Sequence, residues 1–176
     1  MKTVFLKRVA IVVIAALTMS LPAAAQKKGD MAAGLNVLFG TTKGYSNLGL
    51  GAKFRYNVTN PIRLSAEFDY FLKKDFVNFW DVSVYGNYLF PIADKLVVYP
   101  SIGLGVVGEK YNLGIPEEEI FGIKIGGSAS ENKFAASIGG GADYAITPNI
   151  ALNFELRVKT ITNGWFNILV GASYKF

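Results

Sequence analysis

Charged side chains recur along this chain at intervals of two: Lys53 and Arg55, then Arg63, Glu67 and Asp69, then Asp81, Asp143, Glu155 with Arg157, and Lys175. In an extended chain that spacing puts neighbouring groups on one face. Carboxylates held side by side can share a proton and do acid–base work, as Glu67 with Asp69 would. Here Lys and Arg are interleaved with the acids, so structural ion pairing is the chemistry expected of them. Nucleophilic catalysis lacks its base: the chain has no His and no Cys. Ser65, Ser83, Ser101 and Ser173 on the same faces therefore read as hydrogen-bonding filler, and no enzyme is expected. The triplet Glu117, Glu118 and Glu119 reads as a solvated loop with at most loose affinity for a hard cation, so neither a metal centre nor a cofactor is expected.

The elements that must position these charges are read from composition and periodicity. With 176 residues, 51% hydrophobic and 14% aromatic, the chain is one domain's worth. It opens with basic Lys2, Lys7 and Arg8, an apolar run over residues 9–17, and Ala23, Ala24 and Ala25 before Gln26, the three parts of a secretory leader. Residues 1–25 are expected to be cleaved and residues 26–176 to form the mature domain. The leader holds three bases and no acid, so the 18 bases and 13 acids of the whole chain become 15 and 13, a net charge of +2. That excludes the basic patch that nucleic-acid binding requires. No later apolar run approaches the ~18 residues of a membrane-spanning helix.

Period two runs through the rest of the chain, in eight segments. Their apolar faces are Leu35, Val37, Phe39; Leu48, Leu50, Ala52, Phe54, Tyr56, Val58; Ile62, Leu64, Ala66, Phe68, Tyr70; Trp80, Val82, Val84, Tyr88, Phe90; Leu96, Val98, Ile102, Leu104, Val106; Phe134, Ala136, Ile138, Ala142, Tyr144; Ile150, Leu152, Phe154, Leu156, Val158; and Phe166, Ile168, Val170, Ala172, Tyr174, Phe176. Leu38 falls out of pattern on the polar face of the first. Pro100 predicts a bulge or irregular pairing in the fifth, which is read as ending near Val107. Short turns hold Pro61, Pro91 and Pro148, and the one long connection is 109–132.

Eight strands of this length and even number fit a closed antiparallel barrel spanning a membrane. A soluble calyx would have a similar strand count, but its apolar face would point inward. Three features argue that it points outward here. The polar face carries both signs of charge, as a packed ionic interior requires. It also carries Gly49, Gly51, Gly103, Gly105, Gly139 and Gly141, small residues suited to a narrow lumen. Finally, with strands numbered alternately up and down, Tyr56, Tyr88, Phe90, Tyr144, Tyr174 and Phe176 fall at one end, and Phe39, Tyr70, Trp80, Phe134 and Phe166 at the other. Two such girdles mark two membrane interfaces.

On this strand pattern, the glycine-rich run Ser137, Ile138, Gly139, Gly140, Gly141, Ala142, Asp143, Tyr144, and the terminal strand from Phe166 to Phe176, the chain resembles the small OmpA/OmpX-like outer-membrane β-barrels of Gram-negative bacteria, the group that includes opacity-type adhesins. The resemblance implies that Tyr174 and Phe176 are read by the barrel-assembly machinery. The chain stops at Phe176, so the peptidoglycan-binding domain that follows the barrel in OmpA, and anchoring to the cell wall, are not expected. A monomer in contact with outer-membrane lipid and lipopolysaccharide is expected.

Two functions follow. One is a structural or interaction protein that meets an extracellular protein or host surface through external loops. The other is a narrow passive channel. Within the long connection, Phe121, Ile123 and Ile125 alternate with Gly122 and Lys124, which predicts a short extra hairpin; with Glu117, Glu118 and Glu119 these are the candidate loop contacts. The strands on either side would then project above the membrane as a sheet with a free edge. Inside, the turn at Asn60 and Pro61 sets Lys53 opposite Glu67, predicting a buried network that includes Arg55 and Asp69.

Overall fold

A computed structural model describes residues 26–42, 45–74, 77–112, 118–120, 123–125, 128–160 and 164–176. The expected leader, residues 1–25, lies outside the described residues. The strands in chain order are β1 Met31–Thr42, β2 Tyr45–Asn57, β3 Ile62–Lys74, β4 Val77–Tyr88, β5 Phe90–Ala93, β6 Leu96–Asn112, β7 Glu118–Ile120, β8 Ile123–Ile125, β9 Ser128–Ala145, β10 Ile150–Lys159 and β11 Trp165–Lys175. All pairings are antiparallel: β4 pairs with β6 past β5, β6 pairs with β9 past the β7–β8 hairpin, the other strands pair with chain neighbours, and β1 also pairs with β11 and closes the sheet. With β4 and β5 counted as one interrupted strand, this is an eight-stranded barrel. Closure is what hydrocarbon demands, since it leaves no backbone edge unpaired within the wall.

Period two is realised as an inversion of a soluble protein. Leu35 is 71% and Ile102 68% exposed, whereas Arg157 is 2% and Glu155 1% exposed. An apolar belt this continuous is compatible with lipid and not with water. The girdle aromatics all lie on this outer surface, and near the lower rim Phe54 and Phe176 approach to 6.4 Å and Tyr88 and Phe90 to 4.8 Å. The last residue is tied down: the Phe176 N–H donates to the Met31 carbonyl at 3.1 Å.

The structure sharpens three sequence expectations. The irregular pairing expected at Pro100 is present, but it is not a bulge toward β9, where the register runs straight through, from Tyr99↔Gly141 to Ser101↔Gly139. The missing N–H instead interrupts the other ladder, which stops at Asn87↔Ser101 and resumes in the same register at Phe90↔Val98. Opposite the gap, the Leu89 N–H turns to the Pro61 carbonyl at 2.7 Å, and the register shift falls between Pro91 and Ala93. Second, the turn read at residues 91–95 is shorter, since β5 carries the strand to Ala93. Third, the long connection holds the expected extra hairpin, β7 and β8, and the flanking strands project as expected, but they run well past the end read near Val107: β6 and β9 stay paired as far as Asn112↔Ser128.

Candidate functional site

The interior is built by five strands that each contribute inward-facing charge: Lys53 and Arg55 from β2, Arg63, Glu67 and Asp69 from β3, Asp81 from β4, Asp143 from β9, and Glu155, Arg157 and Lys159 from β10. All are at most 4% exposed. Lys53 does stand opposite Glu67 in the β2–β3 ladder, as the turn predicts. Their ion pairs nevertheless cross the lumen. Lys53 Nζ meets Glu155 Oε1 at 2.7 Å, and Glu67 receives both arms of Arg157 at 2.7 and 2.8 Å. A two-pronged guanidinium–carboxylate pair is stronger than an ammonium contact, so Glu67 is better matched by Arg157 than by its ladder neighbour.

Glu155 joins the halves of the network. It also accepts from Arg55 Nη2 at 2.8 Å and pairs with Arg157 beside it on β10. Arg55 continues to Asp143 at 3.1 Å, where Arg63 Nη1 arrives at 2.6 Å and Asn153 Nδ2 at 2.7 Å. Two tyrosines brace the guanidiniums: Arg63 lies 4.3 Å over the Tyr99 ring and Arg157 3.9 Å over Tyr85. Gly141 is required here, since a Cβ would come within 2.7 Å of Glu155 Cγ and of the Tyr99 hydroxyl oxygen. Nearer the extracellular end, Lys159 Nζ meets Asp81 Oδ2 at 2.5 Å, and Ser83 donates to Asp81 at 2.7 Å.

Two of the sequence-predicted network members are placed differently. Lys175 is not in the network: it is one-third exposed at the periplasmic rim and faces Asp30 at 3.5 Å. Its position at the very end of β11 puts it past the lumen. Asp69 is buried opposite Asp81 across the β3–β4 ladder, and its Oδ1 has no hydrogen-bond partner.

Above the charges the lumen is roofed by an apolar layer that sequence reasoning missed. Leu38, Phe71, Phe79, Val107, Ala135, Trp165 and Leu169 form one buried cluster, with the Trp165 ring 4.7 Å from Phe71 and 5.1 Å from Phe79. The signal was Leu38, whose place on the polar face is no lapse of pattern but the first member of this layer. Every other member has the same parity as its strand's inward residues.

Of the candidate loop contacts, Glu117 and Phe121 lie outside the described residues, while Glu118, Glu119, Ile123 and Ile125 fall on β7 and β8. Among the described residues no group of His, Cys, Asp or Glu is arranged to hold a metal ion.

The comparisons with known proteins agree with this architecture. The family model described as outer membrane protein beta-barrel domain matches residues 10–176. The attachment invasion locus protein Ail of Yersinia pestis is 20% identical, with 85% of this chain and 99% of that one covered and a TM-score of 0.57. Neisserial surface protein A is 16% identical over 84% of this chain and 96% of its own, with a TM-score of 0.62. The N-terminal barrel domain of Pseudomonas aeruginosa OprF is 16% identical over 85% and 100%, with a TM-score of 0.58. The search of curated proteins gave no match. At these identities the solved structures speak for the fold alone, but the family match takes in every described strand, and the chain belongs to the outer membrane protein beta-barrel domain family.

Proposed function

We propose that this outer-membrane barrel is a surface interaction protein, acting through the sheet that β6 and β9 raise beyond the wall. The observation that carries the reading is the contrast between a filled lumen and an unpaired external edge. Ion pairs span the interior from β2 and β3 to β9 and β10, and an apolar layer lies over them, which supports a plug over a conduit. Outside, β10 ends opposite Ser137. Beyond that point β9 has no strand on its β10 side among the described residues, while β6 follows it to Ser128.

The open edge has a direction. Ala136 exchanges hydrogen bonds with Thr160 on the β10 side. By alternation, the backbone groups of Phe134, Asn132 and Ser130 also point that way. Such an edge is a template for a partner's strand. The chemistry fits an extracellular protein or a host surface, and one of the Ail structures holds the heparin analogue sucrose octasulfate. The same reading has residues 1–25 removed as a leader, the apolar belt in lipid and lipopolysaccharide, and β11 handled by the barrel-assembly machinery.

The test uses the barrel in nanodiscs against immobilised extracellular-matrix proteins and sulfated glycans. Asn132→Pro removes one edge N–H and leaves the β6 ladder intact. Binding should fall while the folded, heat-resistant form is unchanged. Joining Asn112 to Ser128 through a two-residue turn, which deletes the β7–β8 hairpin, tells whether the edge or the hairpin is contacted. Steady single-channel conductance from the unaltered barrel would replace this reading with a passive channel.

A further inference from the structure

We propose that the periplasmic mouth of the barrel contains a seat for one small oxyanion, a phosphate or carboxylate, held on the free edge of Arg63. A cavity of about 360 Å³ enters the barrel there, floored by Arg55, Arg63 and Asp143 and rimmed by turn residues such as Lys95 and Asn149. Asn57 and Ser173 add polar side chains to its wall. It is the periplasmic end because the short turns, among them 146–149, lie at this rim.

Arg63 is 2% exposed, and only its Nη1 has a partner, Asp143 at 2.6 Å. Nε and Nη2, the two donors along one side of the guanidinium, have none. A buried cation with two parallel N–H groups unmet is an incomplete pair, and that edge matches two oxygens of a carboxylate or phosphate. The ring of Tyr99 beneath the guanidinium fixes its plane.

The charges near Arg63 leave room for such a guest. At this end of the interior Arg55 and Arg63 converge on one carboxylate, Asp143, and only Arg55 reaches a second, Glu155. Among the described residues the interior as a whole balances, five buried cations against five buried carboxylates, but Asp81 is held by Lys159 and Asp69 stands opposite Asp81, toward the other end. At the rim two carboxylates, Asp30 and Asp94, are matched by two cations, Lys175 and Lys95, which leaves the approach without a net negative barrier. An anion in the cavity would give Arg63 a second acidic partner and satisfy both donors.

The experiment is thermal unfolding of the folded barrel in nonionic detergent, titrated with inorganic phosphate or with acetate at constant ionic strength and free of chloride. A specific seat raises the unfolding midpoint saturably, by mass action on the folded state, and shifts the Arg63 Nε–Hε resonance. Response to both anions marks a general oxyanion seat, and response to phosphate alone marks a phosphate-selective one. Arg63→Gln should abolish the response. Because that change also removes a partner of Asp143, Ala145→Glu is the second variant: it places a carboxylate on the next inward position of β9, so the barrel folds with the seat already filled and the response is lost. No midpoint shift in the unaltered barrel, or an equal shift in Ala145→Glu, overturns the proposal.

Discussion

Glu155 touches three cations at once, from two strands, and no other carboxylate of the interior does so. Removing its charge would leave Lys53 without an acid and Arg55 and Arg157 with one partner each, in a lumen with little water to compensate. Breaking a buried network from one side typically costs about 3–5 kcal/mol. Glu155→Gln is therefore expected to lower the unfolding free energy obtained from urea titration by an amount in that range. Lys175→Ala is the contrast: its contact with Asp30 is long and one-third exposed, so about 0–1 kcal/mol is expected in the same assay. If the two variants unfold alike, the interior pairs contribute no more than surface ones.

At the scale of elements, β11 carries most of the consequence. It pairs with β1 over Phe166–Lys175 and with β10 over Trp165–Tyr174, and Tyr174 near its end and Phe176 just after it lie on the lipid-facing side of the lower rim. Phe176→Ala is expected to leave secretion unchanged and to reduce the heat-modifiable form recovered from the outer membrane. Normal recovery would remove the last strand from any role in assembly. The strands themselves were legible because period two is local: Leu152, Phe154, Leu156 and Val158 announce β10 without reference to any neighbour. Hairpin register was legible too, since the turn at Pro61 dictates Lys53↔Glu67. What was not legible was contact across the lumen. Lys53 reaches Glu155, 102 residues away, and that choice depends on the barrel's circumference and shear. Lys159, a full member of the interior, has the parity of the polar face, but nothing local in the sequence marks its partner Asp81. The apolar roof escaped because its seven members come from six strands, each contributing one or two residues that look like exceptions.

Across the whole molecule, two unlike layers block the lumen in series. The unaltered barrel is expected to carry no steady current in a planar bilayer, and Trp165→Ala is expected to stay silent as well, because the ion pairs below the roof still cross the lumen. That substitution should still cost about 3–5 kcal/mol, the usual range for a large aromatic lost from a packed cluster. Current from Trp165→Ala alone would show the roof to be the barrier and the charges to be passable.

The pairing of β1 with β11 also sets an order of events. Ala32 meets Lys175 and Val37 meets Val170, so the first strand to emerge from export has to wait for the last. Until then the growing sheet has an unsatisfied side at each end, and neither can be resolved by anything local. Closing a loop that spans nearly the entire mature sequence is entropically costly and slow. Residence in the periplasm with two sticky margins is therefore an obligatory stage for this chain, and its survival there is a matter of timing and escort as much as of final stability.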